Sequence, residues 1–155
     1  MKRGITFKIP NAYGSYLGDI LRPFDVAAFH WYNGAEESYL VDKGTLGEPL
    51  FDKELFGMNG VRLKETIDNN EYYVIFVDLK AFPRDQEVIN VVTYEEYLKS
   101  GCLLVLLVVD SISVTLYCKD QEKLKDLYLN ADSLGYSDIQ YTTDENDYRT
   151  GLAVW

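Results

Sequence analysis

The strongest constraint on the fold is an uninterrupted run of eight apolar residues from Cys102 to Val109. The run is far too short to cross a bilayer, which takes about 20 residues, and it predicts a strand buried on both faces. Ile112 to Cys118 alternates apolar and polar residues, which predicts a partner strand with one wet or lightly covered face. Asp110-Ser111 between them favours a two-residue hairpin loop.

Residues 71–143 give the succession strand, helix, strand, strand, helix, strand. Thr93 and Glu96 have the spacing of a capping box, which predicts the start of the first helix. Asp120 is a suitable N-cap for the second helix, and Gly135 is a suitable end for it. This order is the split βαβ, or ferredoxin-like, pattern. The predicted fold class is therefore α+β, with a mixed or antiparallel sheet and helices.

The N-terminal residues are expected to extend this sheet. Ile5, Phe7 and Ile9 alternate with polar residues and predict a strand, and a helix is predicted between Pro10 and Pro23. In a ferredoxin-like sheet the second strand lies at an edge, yet here that strand is apolar on both faces. We therefore expect N-terminal strands to cover the edge, and an α+β sheet of different order stays open.

Two further contacts follow from the predicted fold. With a two-residue loop, Leu103 faces Cys118, so that Cys102 and Cys118 lie on opposite faces and remain reduced core thiols. Both helices are expected to cover one side of the sheet, which brings Tyr128 near Tyr97.

The dipeptide Asn33-Gly34 lies between two strand-like segments and is a strong hairpin signal. In such a hairpin the single histidine, His30, lies directly opposite Glu37. A histidine beside a carboxylate is a candidate for acid–base chemistry or ligand binding. Because the sequence shows no nucleophile or second acid at a spacing that would place it beside His30, a purely structural contact is the simpler interpretation.

The same hairpin also offers an acidic, aromatic pocket for a cation or an amine. The candidate ligand-binding residues are His30, Trp31, Tyr32, Glu36 and Glu37. Consecutive strand residues point to opposite faces, so a solvated hairpin end is again the simpler interpretation.

A candidate interaction surface is built from tyrosine and acidic residues near the C-terminus. Tyr117 and Tyr141 are expected on strands, where they can form an exposed platform, and Asp144 and Asp147 follow in an acidic turn. Exposed tyrosine beside acid suits a protein contact. The acidic turn lacks the ligand spacing and glycine of a calcium-binding loop, so no metal site is predicted there.

The composition limits the partners. The 155 residues fit a single domain, 1–155, without a linker or an internal repeat. The formal charge of −10 argues against nucleic acid and against an anionic membrane surface. The N-terminus is predicted to be a strand rather than a signal peptide. The expectation is a cytoplasmic protein.

Motifs for common chemistry are absent from the sequence. It has no glycine-rich nucleotide loop, no nucleophile elbow, no paired-cysteine motif and no zinc-protease motif. One histidine and two separated cysteines do not make a usual zinc site. No cofactor, metal or catalytic residue is predicted.

Four short segments, none of them a chemical motif, resemble an uncharacterised family of small bacterial proteins from Bacillus-type organisms, grouped as a domain of unknown function. They are Arg3-Gly4-Ile5, Ile9-Pro10-Asn11, Glu36-Glu37-Ser38-Tyr39-Leu40 and Gly47-Glu48-Pro49-Leu50-Phe51. The resemblance implies a cytoplasmic bacterial protein, and it implies no activity.

The leading hypothesis is a non-enzymatic protein that binds another protein through an acidic, tyrosine-rich surface. An immunity-like or inhibitor-like role against a basic partner is one form of it. The first alternative is a small-molecule sensor or an enzyme with a site near His30 and Glu37. The second is a structural homodimer formed by exposed strand edges.

Overall fold

The computed structural model describes residues 1–34, 37–51, 56–147, 149 and 151–154. The strands are β1 (Lys2–Lys8), β2 (Phe29–Asn33), β3 (Glu37–Asp42), β4 (Thr45–Pro49), β5 (Met58–Asn59), β6 (Tyr72–Pro83), β7 (Leu104–Val109), β8 (Ser113–Cys118) and β9 (Ser137–Thr143). The α-helices are α1 (Tyr16–Ile20), α2 (Gly60–Asp68), α3 (Tyr94–Lys99) and α4 (Gln121–Ser133).

The strands form one antiparallel sheet in the order β4-β3-β6-β7-β8-β1-β9, with β2 paired to β6 and β5 paired to β2. The α+β class is confirmed, and so is the extension of the sheet by N-terminal strands. β1 lies between β8 and β9, and β2 and β3 both pair with β6.

The ferredoxin-like pairing is not confirmed, although the predicted succession of elements is present. β6 lies beside β7 rather than β8, and β9 pairs with β1. β7 is therefore a central strand, and Leu104 to Val108 are fully buried. This central position, rather than a covered edge, accounts for the long apolar run.

The loop between β7 and β8 has three residues, because Val109 pairs with Ser113. The two-residue prediction is wrong, and Leu104 rather than Leu103 lies opposite Cys118. Asp110 and Ser111 both have positive φ, at 52° and 68°. The backbone N–H of Ser111 donates to the carbonyl of Ile75 at 3.0 Å, which ties the wider loop to β6.

The predicted Asn33-Gly34 hairpin is wrong. β6 has 12 residues, and β2 and β3 pair one after the other along the same edge of it. Both run antiparallel to β6, so the chain continues instead of reversing. The N–H of Gly34 donates to the carbonyl of Asp78 at 2.9 Å, and Asn33 and Gly34 lack the positive φ that a type I′ turn requires.

The sheet has two differently covered faces. On the first face, α1, α2 and α4 pack on a large apolar cluster that includes Leu106. On the second face, α3 and the segments 88–91 and 152–154 cover a smaller cluster that includes Tyr97. The prediction that both later helices cover one side is wrong, because Tyr128 of α4 stacks on Tyr141 of the first-face group, with ring centroids 4.4 Å apart.

The two predicted helix N-caps are confirmed. Thr93 accepts from the N–H of Glu96 at 3.1 Å, and Asp120 accepts from that of Lys123 at 3.0 Å. The first helix is shorter than predicted, because Gly14 instead pairs with the backbone of β6.

Both cysteines are free and buried, and they belong to opposite faces. Burial raises the pKa of the Cys102 thiol to about 12 and that of the Cys118 thiol to about 11. These values keep both thiols protonated and unreactive at neutral pH. None of the helices in the described ranges is long and apolar enough to cross a membrane.

Candidate functional site

An open groove of about 670 Å³ lies at the end of the second face where β2 and the chain after β6 meet. It combines apolar, amide and charged side chains. The described residues that line it are His30, Phe56, Gly57, Arg84, Gln86, Glu87, Val88, Ile89 and Asn90.

His30 is half-buried in the groove and is not opposite Glu37. It pairs with Phe82 of β6 on one side and Asn59 of β5 on the other. Glu37 pairs with Phe76. Six residues of β6 separate the two positions, which is roughly 20 Å at 3.3–3.4 Å per residue. The predicted histidine–carboxylate pair is therefore wrong, because it depended on a hairpin that does not form.

Two large apolar side chains in the groove are exposed. The exposed fraction is 54% for Phe56 and 44% for Ile89. Val88, the neighbour of Ile89 in the lining, packs against the second-face cluster and ties this side of the groove to the protein. The groove thus offers apolar surface to an occupant.

The charged residues of the groove are Arg84 and Glu87. The Arg84 guanidinium donates to the carbonyl of Ala27. This bond fixes the arginine against the turn that precedes β2. Cationic and anionic groups are therefore both available to an occupant.

A buried ion pair lies next to the groove. Asp78 and Lys80 of β6 are 2% and 0% exposed, and the Lys80 ammonium donates to the Asp78 carboxylate at 2.8 Å. Being two apart, they point to the same face. Burial raises the pKa of the Asp78 carboxyl, and this effect outweighs the opposing attraction of Lys80. Burying both charges is costly unless they are paired.

The sequence analysis missed this pair. A signal was present, because Asp78 and Lys80 are a same-face pair of opposite charges in the apolar stretch from Val74 to Phe82. Their burial, however, depends on which strands flank β6, and that is not a local property.

Tyr32 lies between the ion pair and the groove. Its ring centroid is 5.0 Å from Lys80 Nζ and 5.3 Å from the centroid of the Phe56 ring. Burial raises the pKa of the Tyr32 hydroxyl, and the nearby Asp78 carboxylate adds to the effect. The groove wall and the ion pair are therefore in contact through one aromatic ring.

Gly34 allows this close packing. A Cβ atom at Gly34 would lie 2.6 Å from a ring carbon of Tyr32, 2.7 Å from its hydroxyl oxygen and 2.9 Å from Asp78 Oδ2. Any side chain there must displace Tyr32 or Asp78. Glycine is thus required at position 34 because a larger residue does not fit beside Tyr32 and Asp78, and not because the chain turns there.

The other predicted ligand-binding residues are not gathered at the groove. Trp31 is fully buried in the first-face cluster and donates from Nε1 to the Val26 carbonyl at 3.0 Å. Glu37 is half-buried and accepts from the Tyr39 hydroxyl at 3.2 Å. Glu36 lies outside the described residues.

The exposed tyrosine platform is wrong. Tyr117 is fully buried and donates to Asp147 Oδ2 at 2.7 Å. Tyr117 and Tyr141 pair with the consecutive β1 residues Gly4 and Ile5, so they belong to opposite faces. Asp144 is paired with Arg3, whose hydrogen bond at 2.9 Å lowers the pKa of that carboxyl. Asp144 and Asp147, which follow β9, thus link this segment to Arg3 of β1 and Tyr117 of β8.

Groups of three or more histidine, cysteine or acidic residues close enough to hold a metal ion are absent from the part of the chain that the structure describes.

Residues 2–153 match the family model described as "Protein of unknown function (DUF2691)". The chain is also 44% identical over 155 residues to the "Uncharacterized protein YncE" of Bacillus subtilis (strain 168), covering 99% of this chain and 100% of that one. No solved structure matches the chain. The chain belongs to the DUF2691 family, which confirms the resemblance found from the sequence.

Proposed function

We propose that this member of the DUF2691 family is a non-enzymatic binding protein that anchors a partner protein in the groove beside His30. The observation that carries the proposal is the exposure of Phe56 and Ile89 in one groove. Interface hot spots are buried side chains, most often aromatic residues and arginine, that fill pockets of the partner, and the groove offers an exposed aromatic ring beside an exposed aliphatic side chain.

The polar residues of the groove supply the specificity. Arg84, Glu87 and His30 can pair with charged or hydrogen-bonding groups at the rim of an interface. Arg84 is held by Ala27 before any partner arrives. A side chain fixed in advance loses less conformational freedom on binding.

The net charge points to the chemistry of the partner. A protein of charge −10 attracts a basic partner at long range and accelerates its association at low salt. We therefore propose a partner of net positive charge that places an apolar side chain against Phe56 and Ile89. This retains the basic partner expected from the sequence and moves its contact from the tyrosine platform to the groove.

The groove is proposed to bind and not to react. Apart from His30 and Glu87, its described lining holds no residue of a type that serves as a nucleophile. The Lys80 amine nearby is fully buried behind Tyr32.

Site-specific photo-crosslinking in cells of the native host tests the proposal. A photoreactive phenylalanine analogue replaces Ile89 in one strain and Leu129 in another. Leu129 is a matched control, because it is 52% exposed and lies on α4. We expect one discrete adduct with a basic protein at position 89 and none at 129. Equal labelling at both positions, or no adduct at 89, would contradict the proposal.

A small-molecule ligand is the second candidate, and the size of the groove favours it. A volume of about 670 Å³ falls in the range of small-molecule sites, which is roughly 300–1,000 Å³. A thermal-shift screen of metabolites separates the two candidates. A compound that stabilises the wild type and not His30→Ala supports a small-molecule site. An equal shift in both proteins argues against it.

A further inference from the structure

We infer that the buried Asp78–Lys80 ion pair positions the aromatic wall of the groove, acting through Tyr32 on Phe56. The inference rests on the proposed function for its biological meaning, because it assigns Asp78, Lys80 and Tyr32 as positioning residues of the binding groove. None of the three lines the groove itself.

The first step is the cost of the pair. Two charges that are 2% and 0% exposed have lost their hydration, and a pair of apolar residues in their place is often as stable or more stable. Stability alone therefore does not account for a lysine and an aspartate at this place in the sheet.

The second step is the contact with Tyr32. The Lys80 ammonium lies 5.0 Å from the centroid of the ring, within the range of a cation–π interaction. The same ammonium is held by Asp78 at 2.8 Å. Since Tyr32 and Lys80 are also directly opposite in the β2–β6 ladder, the ion pair fixes both the location and the charge of the group beneath the ring.

The third step leads to the groove. The Tyr32 and Phe56 ring centroids are 5.3 Å apart, with an angle of 56° between the rings. Offset and tilted aromatic contacts depend on geometry, so a shift of Tyr32 changes the position of Phe56. Gly34 also packs against Tyr32, where a Cβ atom would lie 2.6 Å from a ring carbon. Tyr32 is thus held between Lys80, Gly34 and Phe56.

The test replaces both charges together, as Asp78→Leu with Lys80→Met, so that neither charge is left unpaired. The readout is the ¹⁹F resonance of Phe56 in fluorophenylalanine-labelled protein, assigned by its loss in Phe56→Leu. We expect a folded protein in which this resonance moves by more than its line width. The control is Leu106→Val, which alters the first-face cluster and is expected to leave the resonance in place.

A second variant keeps the inference testable if the double variant does not fold. Gly34→Ala retains both charges and brings a Cβ atom against Tyr32 and Asp78, so it should move the same resonance. An unchanged Phe56 resonance in the folded double variant, or in Gly34→Ala, overturns the inference.

The crosslinking experiment separates this inference from the proposed function. With the analogue at position 89, the double variant should lose most of the adduct seen in the wild-type background. An adduct of undiminished yield overturns the positioning role in binding, even if the resonance moves. If the wild-type background gives no adduct at all, the proposed function fails, and the resonance alone decides whether the pair positions the ring.

Discussion

The two faces of the sheet are built differently. The first-face cluster has 27 described buried residues, one of them a tyrosine, and is covered by three helices. The second-face cluster has nine, three of them tyrosines, and a buried ion pair lies on the same face. The apolar face has the size to stabilise the domain. The smaller, more polar face adjoins the groove in which we propose that a partner binds.

The largest expected effect is the difference in stability between removing one charge of the Asp78–Lys80 pair and removing both. Lys80→Met alone leaves Asp78 buried without a partner and should cost about 3–5 kcal/mol of unfolding free energy. The double variant Asp78→Leu/Lys80→Met should regain most of this loss, and it can exceed the wild type. Urea unfolding at pH 7 measures both. Equal losses in the two variants would show that the pair itself stabilises the fold.

A second prediction compares the faces on a single strand. Leu106 and Leu107 are neighbours in β7, both fully buried, and they point to the first and second face respectively. Replacing either by alanine should cost about 2–5 kcal/mol, depending on how well the site collapses. We expect the larger loss of unfolding free energy for Leu106→Ala, because the three helices that cover the first face prevent the cavity from collapsing. The reverse order in urea unfolding would break the comparison.

A third prediction concerns the tyrosines of the second face. Tyr117→Phe removes a hydrogen bond to the buried Asp147 carboxylate, a type of bond worth about 1.5–3 kcal/mol. Tyr13→Phe is the control, since Tyr13 is 43% exposed and a surface change of this kind stays within about 0.5 kcal/mol. If both variants lower the melting temperature by similar amounts, the Tyr117–Asp147 hydrogen bond does not stabilise the fold as assigned.

The smallest expected effect is a pH dependence. Burial raises the pKa of Asp78 in the folded state, so the native protein holds this proton more tightly than the unfolded chain. The resulting stability is fully present below the unfolded value of about 3.9 and is lost as the pH rises through the folded pKa. The double variant lacks this term. Its stability relative to the wild type should therefore be greatest at pH values above the folded pKa of Asp78 and fall on acidification, and a constant difference would contradict the assigned pKa direction.

The sequence predicted the features that depend on local chemistry. The apolar run marked β7 because a central strand is covered on both faces. Thr93 and Asp120 marked the starts of α3 and α4 because a cap is a contact within one helical turn.

The features that the sequence did not predict depend on pairing over long distances. Asn33-Gly34 has the composition of a hairpin, yet the length of β6 lets β2 and β3 share one edge. Tyr117 is buried because Tyr94 and Tyr97 of α3 pack on it from about twenty residues earlier in the chain. Sequence reasoning found His30 in the groove and Tyr32 behind it, but not Arg84, Phe56 or the ion pair.

The dissociation constant of the partner that crosslinks at position 89, measured by calorimetry, is the most direct test of the claim that the second face serves recognition. Phe56→Ala should weaken binding by at least about tenfold, because the loss of a hot-spot anchor costs about 2 kcal/mol or more and 1.4 kcal/mol corresponds to tenfold. Leu129→Ala, on the first-face helix α4, should leave it unchanged. Equal affinity in the wild type and Phe56→Ala, or a weaker complex only with Leu129→Ala, would contradict the account.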